Sequence, residues 1–378
     1  MASEHAQYVY DPANDPLAVP RNEATVQNIL DTVTDEREQL DAICEARGWS
    51  RVDKQTRDIL DAFLADTLSV EDTAERLAAP IDESYTSADA GRQFWEMEMT
   101  ARACRPQCTP NEVERYWGEP VSMCEPDPAV RSHVSTEGRL SRLWMSINHA
   151  SRKTPWFGDE SGQMLKLVQL VQTLKLRPNP PLPEGATRAL RNNWVWGSGK
   201  LWSDLTLLGA NMRESWNDAP GGTMGFTALE TKAWERENAF VAHLNATGTA
   251  YYLNYGIWAV RDALEGGIAR MNQMRCTPEF KAKQLEVTLG VVVVWLSIAG
   301  KELYQQSVET AELGLVMENG MVAAWRTSTE ISDIRLSFWK RRLAEIAQDE
   351  SLSAMSRFHA ARAGEEMQRL EETHGEMQ

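Results

Sequence analysis

Glu230, Trp234, Glu237 and Val241 recur at intervals of four, three and four, and so do Asn254, Trp258, Arg261 and Glu265. Such spacing puts each set on one face of an α-helix. Each face then mixes carboxylates with a tryptophan. Turned toward a ligand, the carboxylates would pair with a guanidinium or ammonium group, and the indole faces would attract a cation. A small polar, cationic or aromatic ligand is the expected occupant. Turned inward without one, the charges must find internal partners. On that reading Glu230 caps its helix, and Glu237 pairs with a basic neighbour such as Arg236 or Arg213. The substrate-binding candidates are Arg213, Glu230, Trp234, Asn254, Trp258, Arg261, Asp262 and Glu265, flanked by Tyr251 and Tyr255. Glu237 and His243 are the candidates for a general base, His243 reading otherwise as a structural helical histidine.

Helices must carry these stripes. Thr227 with Glu230 three residues on has capping-box spacing and starts one of them. A second runs from Ala250 to about Glu265 and ends at Gly266-Gly267. Leu201 to Asn217 reads as a third, with Trp202, Leu205, Gly209, Met212 and Trp216 on one side, stopped by Asn217-Asp-Ala-Pro-Gly-Gly222. Further along the chain, Asn22 caps a helix through Cys44, and Ser69-Val-Glu-Asp72 starts one ending before Pro80. Helices are also expected over 87–103, 136–152, 160–176 and 331–373. The apolar run Val287 to Ala299 is shorter than the ~20 residues of a membrane span and reads as a buried core helix. No two-residue alternation bounded by hairpin turns is present. The expected fold is therefore all-α, an irregular multi-helix bundle with a tryptophan-rich core and little or no β-structure. The expected division is an acidic helical region (1–104), a Pro-rich connector (105–130) and a main helical domain (131–378) whose core spans 194–305. Pro178 to Pro183 reads as a rigid spacer.

The net charge of −16 argues against nucleic acid until the chain is divided. Residues 1–130 hold 27 acids against 11 bases, whereas 131–378 hold 28 of each. Within 131–200 there are 11 bases against four acids, and a second basic cluster lies at Arg335–Arg342. Local clusters govern phosphate contacts more than totals do; the other reading of this stretch is a solvated face. Five cysteines, few and unevenly spread, fit a reducing compartment rather than a disulfide framework. Met1 to Asp11 lacks a basic and an apolar region, so no secretory signal and a soluble, cytoplasmic protein without membrane contact are expected. Trp196-Gly-Ser-Gly-Lys200-Leu201 fails as a phosphate loop, since leucine follows the lysine. Cys104, Cys108, Cys124 and His133 are too irregular for zinc, and neither metal nor cofactor is expected.

Leu201-Trp-Ser-Asp-Leu, Met212-Arg-Glu-Ser-Trp-Asn217, Trp234 to Asn238-Ala-Phe240 and Tyr255-x-x-Trp258-Ala-x-Arg261-x-Ala-Leu-Glu265 resemble the fungal "domain of unknown function 3632" family. The likeness covers roughly 140–305 and is strongest over 201–265. Thr206 stands where proline is expected, and His243 where arginine is common. The family name carries no activity. More distantly, the chain is similar in character to fungal arginine-containing cyclodipeptide synthases, which condense an arginyl group from arginyl-tRNA with a second aminoacyl group to a diketopiperazine. That resemblance implies carboxylates around a guanidinium, a general base to free an amine, and a basic surface for aminoacyl-tRNA. Arg139, Arg142, Arg152, Lys153, Lys166, Arg188, Arg191 and Lys200 would supply the last. A non-catalytic helical protein that binds a ligand or a protein partner is the competing expectation, and the oligomeric state stays open.

Overall fold

The computed structural model describes residues 22–49, 53–86, 136–158, 162–181, 200–265, 277–309 and 333–375. Among these residues there are twelve α-helices and no strand, as the helical periodicity predicts. In chain order they are α1 (Glu23–Thr32), α2 (Glu36–Arg47), α3 (Lys54–Leu64), α4 (Val70–Thr86), α5 (Thr136–Arg152), α6 (Gln163–Leu176), α7 (Leu208–Ser215), α8 (Ala228–Ala246), α9 (Leu253–Leu264), α10 (Pro278–Glu309), α11 (Asp333–Gln348) and α12 (Ala354–Gly375). The helix expected over 87–103 and the Pro-rich stretch 105–130, with its cysteines, lie outside the described residues.

Two compact units divide the chain. The first takes residues 1–49, 151–165 and 217–378. Its central element is α10, packed against α8, α9 and α12; α11 packs on α9 and α12, and α2 on α1 and α8. By length and composition 278–303 could cross a membrane. Here Val287, Leu289, Val291, Val292, Val294 and Trp295 are buried within the unit. Gly256 sets the approach of α9 to α10, because a Cβ there would lie 2.6 Å from the Trp295 ring. The Trp295 indole N–H donates to Asn238 Oδ1 (3.0 Å), and Asn238 donates to the Trp234 carbonyl (2.9 Å). A buried indole needs such an acceptor.

The second unit takes residues 50–150 and 166–216. Trp144 and Trp202 are fully buried in it. Trp144 donates to the Thr206 carbonyl (2.7 Å) and Trp202 to Asp82 Oδ1 (2.7 Å). Arg177 ties Asp82 and Glu75 of α4 together.

Three local expectations are corrected. The helix expected from Asn22 to Cys44 is two, α1 and α2. Val33 is extended, and the Asp35 side chain accepts from Glu38 N (2.9 Å) to start α2 afresh. A capping aspartate competes with helix continuation. Asn22 itself makes no side-chain cap. α4 does not stop at Pro80: Leu77, Ile81 and Tyr85 are buried at four-residue intervals, and this apolar stripe outweighs the one backbone hydrogen bond that proline forfeits. Residues 201–207 are turns rather than helix, so the stripe from Trp202 to Trp216 does not exist. Leu205 and Leu207 take left-handed conformations (φ 47° and 68°), and Asn179 Oδ1 accepts from Trp202 N and Ser203 N in place of a helical ladder. The regular parts there are α7 and a single 3-10 turn at Trp216–Asp218.

Candidate functional site

The site builds up from α8, in the first unit. Its capping box forms as the spacing predicts. The Thr227 hydroxyl accepts from Glu230 N, and the Glu230 carboxylate reaches back to Thr227. That carboxylate also binds inward. Arg47 Nε and Nη2 donate to its two oxygens at 2.8 and 3.1 Å, and Gly225 N donates at 2.8 Å. Both charged side chains are wholly out of solvent. Gly225 is required here, since a Cβ would lie 2.3 Å from Arg47 Nη2 and 2.7 Å from Glu230 Oε2.

Two turns on, Glu237 accepts from Arg152 Nε at 2.7 Å, and Arg152 Nη2 reaches Asp218 at 3.2 Å. The Arg152 guanidinium lies 4.8 Å from the centre of the Trp49 ring, a cation–π contact. Arg236 donates to the Arg152 carbonyl and pairs with Glu36, and Lys153 pairs with Asp41 (3.1 Å). Asp218, with 16 % of its side chain exposed, is the Arg152 partner that reaches solvent; Glu36 and Asp41, at the cluster's edge, are more open still. Burial pushes its carboxyl up to about 6; Arg152 opposes that shift, and the Glu237 charge adds to it. A carboxyl titrating near neutrality beside a fixed guanidinium can accept or release a proton at working pH.

The third carboxylate, Glu265, closes the end of α9. It accepts from Arg335 Nε (2.5 Å), Arg335 Nη2 (2.9 Å) and Trp339 Nε1 (2.6 Å), all from α11. Arg335 also lies over the Trp339 ring (5.3 Å to its centroid).

The carboxylates of the two predicted stripes have separate partner sets. Glu230, Trp234 and Glu237 are buried on α8, with each carboxylate held by its own arginine. Glu265 has a separate partner set. Trp258 and Asn254 are half-buried, Trp258 meeting Tyr255 edge to face (5.1 Å). Arg261 lies 3.7 Å from Asp262, which is exposed, rather than bridging to Glu265. Arg213 is exposed on α7, in the second unit, and Glu237 pairs with neither Arg213 nor Arg236. His243 is half-buried, and burial lowers its pKa.

The basic set separates as well. Arg152 and Lys153 are buried and paired, so they serve the interior and not a polyanion. Lys166 pairs with Asp66 (2.7 Å). Arg142 and Lys200 are exposed, Arg139 is half-buried, and Arg188 and Arg191 lie outside the described residues. Among the described residues no group of three or more His, Cys, Asp or Glu side chains is placed to hold a metal.

Sequence reasoning missed three groups and read a fourth, Arg335, as part of a basic cluster. Arg47 stands 183 residues from its carboxylate, and Arg335 stands 70 from its own, so no local spacing announces either pair. Asp218 sat inside a string of helix breakers and drew no notice. Glu235 adjoins the predicted stripe. Burial pushes its carboxyl up to about 7, opposed by Arg236 and Lys232. It lies with the His359 ring of α12 over Gly290 of α10. His359 Nδ1 is buried without a hydrogen-bond partner.

No curated protein matches the chain, and no solved structure does. The model of the family described as "Protein of unknown function (DUF3632)" matches residues 144–343. That span contains the three carboxylates and Asp218, together with Arg152, Arg335 and Trp339 that hold them; Arg47 alone is supplied from outside. Since the match takes in more than half of the 378 residues, the chain belongs to the DUF3632 family.

Proposed function

We propose that this protein is a helical ligand-binding protein whose interior carboxylates are structural. One observation carries the reading: Glu230, Glu237 and Glu265 are each closed by an arginine of the chain itself. An arginyl substrate entering any of the three would have to displace a buried internal guanidinium. Separating such a pair costs about 3–5 kcal/mol before any new contact forms. The ligand is then expected at a surface where charges are still unpaired.

A second reading is favoured by Asp218. A carboxyl near 6 beside Arg152 and partly open to solvent supports a general-base role for it. On this reading the protein is a tRNA-dependent, cyclodipeptide synthase-like enzyme of fungal metabolism. Asp218 would take a proton from the attacking amine, and each aminoacyl ester would release its tRNA hydroxyl as an amide forms.

Expression of the full chain in a heterologous host, followed by untargeted metabolite comparison, separates the two. The binding reading expects no new diketopiperazine. A new mass equal to an arginine-containing cyclic dipeptide, lost in Asp218→Asn while the helical circular-dichroism signal persists, would overturn it and establish the transferase.

A further inference from the structure

In the second unit a recess of about 100 Å³ opens between the start of α3, the middle of α4 and the start of α5. Arg76 comes from α4, and Arg139 and Arg142 come from α5; all three line it. Guanidinium groups gathered in one concavity repel each other unless carboxylates intervene. Two of the neighbouring carboxylates are paired elsewhere, and a third, on the recess wall, offsets one of the three positive charges. Glu75 and Asp82 of α4 are held by Arg177. Asp53, on the recess wall, caps α3 by accepting from Thr56 N and Thr56 Oγ1, both at 2.9 Å. None of the three arginines has an ion-pair partner among the described residues, and the buried Nε of Arg139 donates to nothing. A buried donor without an acceptor costs about 1–3 kcal/mol, and native proteins keep few of them.

We propose that this recess is a phosphate-binding site that takes the terminal phosphate of a small phosphorylated ligand. A phosphate dianion offers several acceptor oxygens, and guanidinium forks match them bidentately. It would satisfy the Arg139 Nε and neutralise the repulsion in one step. The recess has the volume of only a few waters, which suits a terminal group better than an extended backbone. Around it α3 exposes Asp58, and α4 exposes Glu71, Asp72 and Glu83. That acidic surround repels a polyanion following a track along the surface. The inference deepens the ligand-binding reading, on which it rests, by naming the ligand's chemical class.

The test uses the full chain and two probes, inorganic phosphate and bulk tRNA, in chloride buffer at constant ionic strength. Titration calorimetry and thermal melting are read together, since a ligand bound only by the folded state raises the melting temperature. Saturable phosphate binding with a rise in Tm is expected, weakened about tenfold or more in Arg139→Gln and in Arg142→Gln, the scale of losing a charge-assisted hydrogen bond. Arg362→Gln, a surface arginine on α12 paired with Glu365, should leave it unchanged. Arg142 is exposed, so its variant carries the test even if the Arg139 variant folds poorly. No saturable binding, or binding that survives both substitutions, overturns the site. So does tRNA binding lost in Arg142→Gln when phosphate itself does not bind. Either result leaves the reading of the buried pairs, which stands on the metabolite comparison, untouched.

Discussion

Replacing Glu265 by leucine tests whether the buried ion pairs hold the first unit together. The substitution removes the acceptor of three hydrogen bonds, two from Arg335 and one from Trp339. It keeps most of the side-chain volume, so cavity formation contributes little. What remains is a guanidinium with 1 % of its side chain exposed and an indole N–H with no acceptor. Breaking a buried pair from one side costs about 3–5 kcal/mol, and the orphaned indole adds about 1–3 kcal/mol. The two overlap, so a loss of about 4–6 kcal/mol is expected. Replacing Arg335 by methionine in the same chain removes the charge that has lost Glu265, and apolar replacement of a whole buried pair is close to neutral. The double variant should therefore recover about 3 kcal/mol over Glu265→Leu, a coupling that only interacting residues show. Urea unfolding followed by far-ultraviolet circular dichroism measures each corner of the cycle, with ΔG extrapolated linearly. A loss below about 1 kcal/mol for Glu265→Leu, or a double variant no more stable than the single, refutes the argument that this charge is structural.

Three further outcomes follow from the same geometry. Gly225→Ala puts a methyl group within 2.3 Å of Arg47 Nη2 and should cost about 1–3 kcal/mol in urea unfolding, the range of overpacked interiors; an unchanged midpoint would refute the close approach of Arg47 to the Gly225 backbone. Gly256→Ala presses on Trp295, buried at the α9–α10 contact, and should alter near-ultraviolet circular dichroism and tryptophan emission while the far-ultraviolet signal persists; identical spectra would count against close packing there. Burial pushes the Glu235 carboxyl up to about 7 from an ordinary value of 4.5, so between those pH values the folded chain holds a proton that the unfolded chain has released. Its contribution to stability is thus fully present below about 4.5 and is lost as pH rises through 7. Glu235→Gln should match the parent near pH 4 and exceed it at pH 8, by on the order of 3 kcal/mol. Subtracting the two pH profiles cancels titrating groups that do not sense Glu235; Glu235→Gln in a His359→Gln background removes the adjacent imidazole from the comparison. A flat difference would refute the assignment.

The fold was legible because helices declare themselves locally. Thr227 and Glu230 name the start of α8 within four residues, and the buried face of α10 is an unbroken apolar run. The misreadings fall where a local signal competes with a tertiary one. Pro80 reads as a stop, yet burial of Ile81 and Tyr85 carries α4 past it. Leu201 to Leu207 has helical spacing, yet the Asn179 side chain takes the amides that a helix would have used. The site was legible only by residue type. Helical stripes identified Glu230, Glu237 and Glu265 as unusual charges. Which arginines face them depends on chain reversals that periodicity does not encode. Arg139 and Arg142 were picked out by charge density, whereas Arg76 was not, because it sits in the acidic third and joins them only through the packing of α3, α4 and α5.

The contact between Arg47 and Glu230 sets a timetable for the nascent chain. Arg47 leaves the ribosome 183 residues ahead of its partner. At about 5–20 residues per second that is a wait of roughly ten to forty seconds. Through that interval the buried face of α2 has no α8 to cover it, and the arginine must stay hydrated. The Arg335 that closes Glu265 arrives later still. The first unit thus closes in stages: α2 can be covered once α8 has emerged, whereas the end of α9 stays open until α11 follows.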